Sequence, residues 1–360
     1  MPSTIGAPLL PPEGSRGRRL FRIVRGIVVE VVLFLVLTIL SPLLLGVAAV
    51  VDLVLWLRSR KPWMGVRIVL LIWWFLFGEL RGLLGVLGVW LLAGGPWGRD
   101  TPARRRRIYR LQVGWAAGHL AGVSRVCGVR FDVEGDELVG EGPLIVMARH
   151  ASVVDNALPA RLISRPHGLD LRYVLKSDLE NLPTLDIGAR WVPTCFVRRS
   201  GGDPGREIDR VRTLAMGLDG KRDGVLIFPE GTRFTQRKLD ALKEKATKPE
   251  HVARLARLRH LLPPRSGGPV ALLEEAPHAA VVIIGHVGLD DLHGLGAIWR
   301  GGLVGTRVRV RIWRHERDEL PTGRDELTAW LFDRWQALDD WVDEELARRA
   351  VPGDAQAVAA

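Results

Sequence analysis

The stretch LIVMARHASVVD runs from a strand-like apolar segment into His150, with Asp155 five residues further on. An imidazole, with its pKa near neutrality, is the usual base for taking a proton from an alcohol. A carboxylate bonded to its other ring nitrogen would fix the tautomer and stabilise the imidazolium, as in a triad whose serine is replaced by a substrate hydroxyl. On a regular helix, five residues would set the two side chains about 140° apart. They meet only if His150 sits on the strand-exit turn and Asp155 in the first helical turn. Ser152-x-x-Asp155 reads as a capping box that opens such a helix. The same residues also read as a plain helix cap beside a surface histidine, and the local sequence leaves both readings open.

A second stretch, GVLIFPEGTRF, ends an apolar strand in a rigid turn, Pro229-Glu230-Gly231-Thr232-Arg233. Gly231 permits a positive φ and the close approach of a ligand. Arg233 at such a turn suits a phosphate, and Glu230 either orders Arg233 or accepts from a substrate hydroxyl. An ordinary βα turn with a local ion pair would look the same. Lys176 and Arg198 each follow a candidate strand, on the side of an α/β sheet where ligands bind. Arg199 competes with Arg198, because alternation turns only one of the two inward.

The elements that must position these residues begin at about residue 110, where short β-like runs alternate with helical stretches, the pattern of an α/β domain. The strand candidates are Val129–Val133, Leu144–Met147, Leu171–Leu175, Trp191–Val197, Val225–Phe228, Ala280–Ile284 and Arg307–Trp313. In the last, arginines alternate with Val308, Val310 and Ile312, giving one polar and one buried face. Residues 236–265 form a polar helical insertion ending in LLPPR. From Arg324 to Arg349, Leu327, Leu331, Trp335, Leu338, Val342 and Leu346 recur at helical spacing, as in a helix packed on the main domain.

Ahead of this domain lie two apolar segments. The first, Gly26 to Leu57, exceeds the roughly 20 residues that span a bilayer and the 7–15 of a signal-peptide core. The second is interrupted by Glu79 and Arg81, charges that are costly in lipid unless paired, held inside a bundle or set at the interface. A spanning hairpin and two in-plane helices, helped by a break at Ser41-Pro42, both fit. Arginine clusters before, between and after the segments leave orientation open, with a slight preference for the in-plane version. The division is a basic leader over 1–25, membrane helices over 26–95, a catalytic domain over 110–315 and a closing helix over 316–350.

Net charge is +11, and of 51 Lys+Arg only seven are Lys. Arginine's planar fork matches phosphate, so anionic lipid, rather than nucleic acid, is the partner that also accounts for the apolar segments. Cys127 and Cys195 have no metal spacing and read as reduced core residues of a cytoplasm-facing protein.

Together, His150 with Asp155 and the run Phe228-Pro229-Glu230-Gly231-Thr232-Arg233 resemble the H-x4-D and FPEGTR motifs of the glycerolipid acyltransferase superfamily, which includes the lysophosphatidic acid acyltransferases. Lys176, Leu179, Pro183, Gly188, Phe196, Val197 and Arg198 are similar to its second block. The segments FPEGTRFTQRKLDALKEKA and RHLLPPRSGG resemble its long-insert lysophospholipid branch. Two departures are Arg149, where a small residue or asparagine is usual, and the proline missing from HAAVVIIGHV.

The resemblance implies a mixed α/β sheet flanked by helices, the glycerol-3-phosphate acyltransferase-like fold, behind an N-terminal hydrophobic helical membrane motif. It implies His150 and Asp155 as the catalytic pair. Lys176, Arg198, Glu230, Gly231, Thr232 and Arg233 would form the acceptor phosphate site. No metal and no bound cofactor are expected; acyl-CoA or acyl carrier protein would be the donor, and membrane lipids the partners. The expected location is the cell membrane, with the catalytic domain on its cytoplasmic side. A noncatalytic membrane-anchored binding protein is the alternative of a different class.

Overall fold

The computed structural model describes residues 9–10, 15–197, 203–290 and 295–350. Seven strands form one sheet: β1 (Arg130–Glu134), β2 (Leu144–Ala148), β3 (Asp170–Lys176), β4 (Thr194–Val197), β5 (Asp223–Ile227), β6 (Ala280–Val287) and β7 (Arg307–His315). Their order is β1-β7-β6-β2-β5-β3-β4, and every pairing is parallel except β6 with β7. The sheet is therefore mixed, as the resemblance implies, and all seven candidate strands form with their ends moved by a few residues.

The central strands are buried on both faces, so they read as continuous apolar runs. From β2, Ile145 and Met147 join Val225, Ile227, Val281 and Ile283 under one helical layer that includes Leu214, Val270, Leu331 and Trp335. Leu144, Val146 and Ala148 face the other way, with Leu226, Val282, Ile284 and Leu120. In the C-terminal helix Arg324–Ala350, Leu327, Leu331, Trp335, Leu338 and Val342 are all buried. Each contributes about 1.5–3 kcal/mol by leaving water. In β7, Val308, Val310 and Ile312 are buried, while Arg307 and Arg311 pair with Asp132 and Glu134 of β1.

Three long helices precede the sheet: α1 (Arg16–Ser59), α2 (Met64–Leu92) and α3 (Pro102–Cys127). Both α1 and α2 are long and apolar enough to cross a membrane. Exposed apolar residues cover α1 from Leu20 to Leu57. The break expected at Ser41-Pro42 does not occur. Pro42 has no N–H for the Thr38 carbonyl, and the Ser41 hydroxyl donates to that carbonyl instead, at 2.8 Å, so the helix continues. Glu79 is fully buried and accepts from Trp115 Nε1 at 3.0 Å, with His119 Nε2 at 3.1 Å. It is the charge held inside the bundle. Arg81 stays exposed, its guanidinium close over Gly118 of α3.

The basic leader is also not a separate solvated segment throughout, because α1 begins at Arg16. Arg19 and Arg22 reach the buried carboxylate of Asp186 at 3.3 and 2.9 Å, which Arg190 also contacts at 3.0 Å. Three guanidinium groups on one buried acid anchor the start of the apolar hairpin beside β3. Replacing Asp186 with Ala leaves Arg19 without its carboxylate and Arg22 and Arg190 with Glu180 alone, an effect of order 1–3 kcal/mol. Trypsin cleavage at Arg19 or Arg22 is then expected to run about tenfold faster than in the parent protein, if local opening governs cleavage.

Candidate active site

Strands β2, β5, β3 and β4 are neighbours and parallel, so their C-terminal ends open on one edge of the sheet. His150 follows β2, the 228–233 turn follows β5 and Lys176 ends β3. Neighbouring strands lie about 4.8 Å apart, so segments distant in sequence become adjacent there.

Asp155 sits in a short 3₁₀ turn, Val154–Ala157, not in the first turn of an α-helix. The tighter turn brings its carboxylate back over the preceding loop. Oδ2 accepts from His150 Nδ1 at 3.2 Å, from Ala151 N at 2.6 Å and from Ser152 N at 2.7 Å, while Oδ1 accepts from Ser152 Oγ at 2.6 Å. Asp155 therefore both caps the turn and orients the histidine. Burial alone would raise its carboxyl. The charge of nearby His286 and the hydrogen bond from His150 outweigh burial and hold Asp155 well below the usual carboxylate range. With Nδ1–H donated to Asp155, the His150 Nε2 lone pair is free to accept a proton, and the ring packs against Phe228 at 4.6 Å between centroids.

His150 opens on a cavity of about 700 Å³. Its walls include Val174, Leu179, Val197, Ile208, Val211, Ile227 and Phe228, and its polar lining includes Lys176, Gly231, Thr232, Arg233 and Arg265. Gly231 has φ 66°, and a Cβ there would stand 3.0 Å from Arg265 Cδ; the missing side chain is what lets Arg265 lie across the turn. Lys238 Nζ donates to Thr232 Oγ1 at 3.1 Å and to the Arg233 carbonyl at 2.7 Å. Lys176 is held by Asp178. Arg198 and its rival Arg199 lie outside the described residues.

Glu230 does not line this cavity. It is 1 % exposed, and its two oxygens accept from His150 N at 2.8 Å and Leu262 N at 3.0 Å. The turn that the sequence offers as ligand-binding is, at this residue, a clamp that joins the histidine loop to the insertion. A buried acid whose two oxygens each accept from a backbone amide is engaged in joining those loops, not in facing the cavity. Arg149 is likewise turned away: it is 1 % exposed, and its guanidinium is bound by the His286 and His260 carbonyls and by Asp290. The departure at Arg149 is thus absorbed beneath the site.

Arg265 and His286 escaped the sequence reading. Arg265 stands in the LLPPR block, whose proline pair signalled a turn without saying where it folds. His286 sits in an otherwise apolar strand, and nothing local ties it to Asp155.

Residues 130–267 match the Acyltransferase family model. Among curated proteins, 1-acyl-sn-glycerol-3-phosphate acyltransferase epsilon of Mus musculus is 25% identical over 71% of this chain and 74% of the mouse protein. 1-acyl-sn-glycerol-3-phosphate acyltransferase 2 of Brassica napus is 25% identical over 72% of this chain and 66% of its own length. Lysocardiolipin acyltransferase 1 of Mus musculus is 22% identical over 64% and 61%, so the chain spans less than two thirds of that relative. A solved 1-acyl-sn-glycerophosphate acyltransferase, PlsC of Thermotoga maritima, aligns over 78% of this chain and 98% of that one, with TM-score 0.49 and 16% identity. The matched domain, these relatives and the two motif blocks together support an acyltransferase-like enzyme of the glycerolipid acyltransferase superfamily.

Burial pushes Glu230 up to about 8 from the ordinary 4.5. Between those values the folded protein keeps a proton that the unfolded chain has released, so this group's contribution to stability is full below about 4.5 and falls as pH rises toward 8. Glu230→Gln removes that titration. Thermal melting from pH 5 to 8 is expected to show a shallower decline in the variant than in the parent; equal slopes would assign the decline to other groups.

Proposed function

We propose that the protein transfers a fatty acyl group from acyl-CoA or acyl carrier protein to the free hydroxyl of a lysophospholipid, foremost 1-acyl-glycerol-3-phosphate, giving phosphatidic acid. The observation that carries this reading is His150, oriented by Asp155, at a cavity with apolar walls and with Arg233 and Arg265 among its lining residues. Such a cavity offers a fatty chain an apolar wall and a phosphate a charge-assisted hydrogen-bond partner.

In this mechanism His150 Nε2 takes the proton of the acceptor hydroxyl as its oxygen attacks the thioester carbonyl. Asp155 stabilises the resulting imidazolium. The tetrahedral adduct then collapses, the C–S bond breaks, and the imidazolium returns the proton to the departing thiolate. No acyl-enzyme forms. Arg233 and Arg265, with Lys176 once released from Asp178, hold the acceptor phosphate, and Arg198 is the further candidate from the sequence. Gly231 and Thr232 shape the turn, and Glu230 fixes its position relative to His150.

The helix pair α1–α2 is the membrane anchor in this reading, because substrate and product both reside in a bilayer. Basic residues at the start of α1 and around the domain draw it to anionic headgroups. Other lysolipid acceptors keep the same chemistry, among them lysophosphatidylinositol, lyso-ornithine lipid and glycolipid; one relative's name, lysocardiolipin acyltransferase 1, points to such variety within the superfamily.

The test is transfer from labelled acyl-CoA or acyl carrier protein to a panel of lysolipids by detergent-solubilised protein. Lysophosphatidic acid is expected to be the best acceptor, and His150→Ala to lower kcat by about a thousandfold or more, the scale of losing a triad member. Activity on a different acceptor alone would reassign the headgroup, and no transfer with any pair would reject the reading. Arg233→Ala is expected to raise KM for the phosphate-bearing acceptor by about tenfold or more, the size of one charge-assisted hydrogen bond, while leaving KM for the donor nearly unchanged.

A further inference from the structure

His286 lies on β6, on the side of the sheet that carries Ile284 and faces Leu158 and Ile163. Strand β2 pairs with β6 in register, Ala148 opposite Ile284. The ladder continues for one more bond, Arg149 N to Ile284 O at 3.0 Å. His150 and His286 each stand two residues beyond that pair, so the two imidazoles leave neighbouring strands at the same level. Asp155 lies between them.

His286 is 1 % exposed, with its Nε2 3.3 Å from Asp155 Oδ1. Neither ring nitrogen completes a hydrogen bond of good geometry among the described residues. A buried imidazole with both nitrogens unsatisfied is costly and calls for a reason. The Arg149 guanidinium, which binds the His286 carbonyl, Asp290, and Arg349, which donates to the Val287 carbonyl, are charged groups at this end of β6.

We propose that His286 is a positioning residue for acyl transfer, presenting an Nε2–H to Oδ1 of Asp155 so that Oδ2 stays aimed at Nδ1 of His150. The carboxylate then carries an imidazole on each oxygen, one facing the cavity and one sealed in the core. A slight turn of the Asp155 carboxylate converts the 3.3 Å contact into a hydrogen bond. That contact matters most as His150 takes up its proton. The imidazolium needs the full negative charge of Asp155 on the shared axis, and without His286 the Oδ1 oxygen keeps Ser152 Oγ as its one donor. His286 touches neither substrate, and its effect passes through Asp155.

The inference rests on the acyl-transfer reading above but not on its headgroup, so it is tested on whichever acceptor the wild-type protein uses best. His286→Gln returns an amide N–H at about the reach of Nε2, His286→Asn has similar polarity but falls short, and His286→Leu keeps bulk without a donor. The Asn and Leu variants are expected to lose about tenfold or more in kcat with KM for both substrates within about twofold, and Gln to return to within about threefold of wild type, since small misplacements of a catalytic group carry losses of this order. A purely structural role would treat Asn and Gln alike. Wild-type kcat in Asn and Leu would overturn the proposal, as would a loss carried by KM or a Gln variant as impaired as Asn. Melting temperatures of all three variants confirm that kcat is compared between folded proteins, and the Asn–Gln comparison decides the matter even if the Leu variant does not fold.

Discussion

A carboxylate removed from water must have its charge met, and at this site the consequences reach across the domain. Asp155 is 1 % exposed, and its surroundings are fixed by that need: two backbone amides, one hydroxyl and an imidazole supply the hydrogen bonds. Satisfying it requires the tight turn after β2, because only there can the amides of Ala151 and Ser152 converge on one oxygen. The same convergence leaves His150 with a single ring nitrogen free. Orientation of the base and folding of the loop are therefore one arrangement, not two.

A second buried acid extends this arrangement to the rest of the site. Glu230 binds the backbone of His150 on one side and of Leu262 on the other, so the strand-exit loop, the FPEGTR turn and the insertion move as a unit. The insertion is in turn tied to the C-terminal helix, through Trp335 Nε1 to the Leu262 carbonyl at 3.1 Å and through Asp339 to the amides of Arg259 and His260. Arg149 closes the circuit from beneath by holding the His260 and His286 carbonyls together. Polar groups with no role at the cavity thus fix the position of the base relative to the turn and the insertion.

The apolar hairpin joins this body through polar contacts. Asp186 gathers Arg19 and Arg22 from α1, and Thr184 donates to the Glu79 carbonyl of α2 at 3.1 Å, both from the short helix Pro183–Gly188 beside β3. The segment that ends at Lys176 and the helices suited to lipid therefore share one junction. Glu30, Asp52 and Glu79 are buried within the packed helices, and exposed apolar residues cover much of the rest.

The amino-acid sequence alone determined which segments become strands and of what kind, because central strands buried on both faces demand apolar runs and β7, with one polar face, demands alternation. It also marked His150, Asp155, Gly231 and Arg233, since their chemistry is carried by residue type and short spacing. The position of Glu230 was legible but its task was not: whether an acid faces a ligand or two backbone amides depends on which loops surround it. His286 and Arg265 were beyond its reach for the same reason. His286 lies 131 residues from Asp155 along the chain, and only the in-register pairing of β2 with β6 puts the two together.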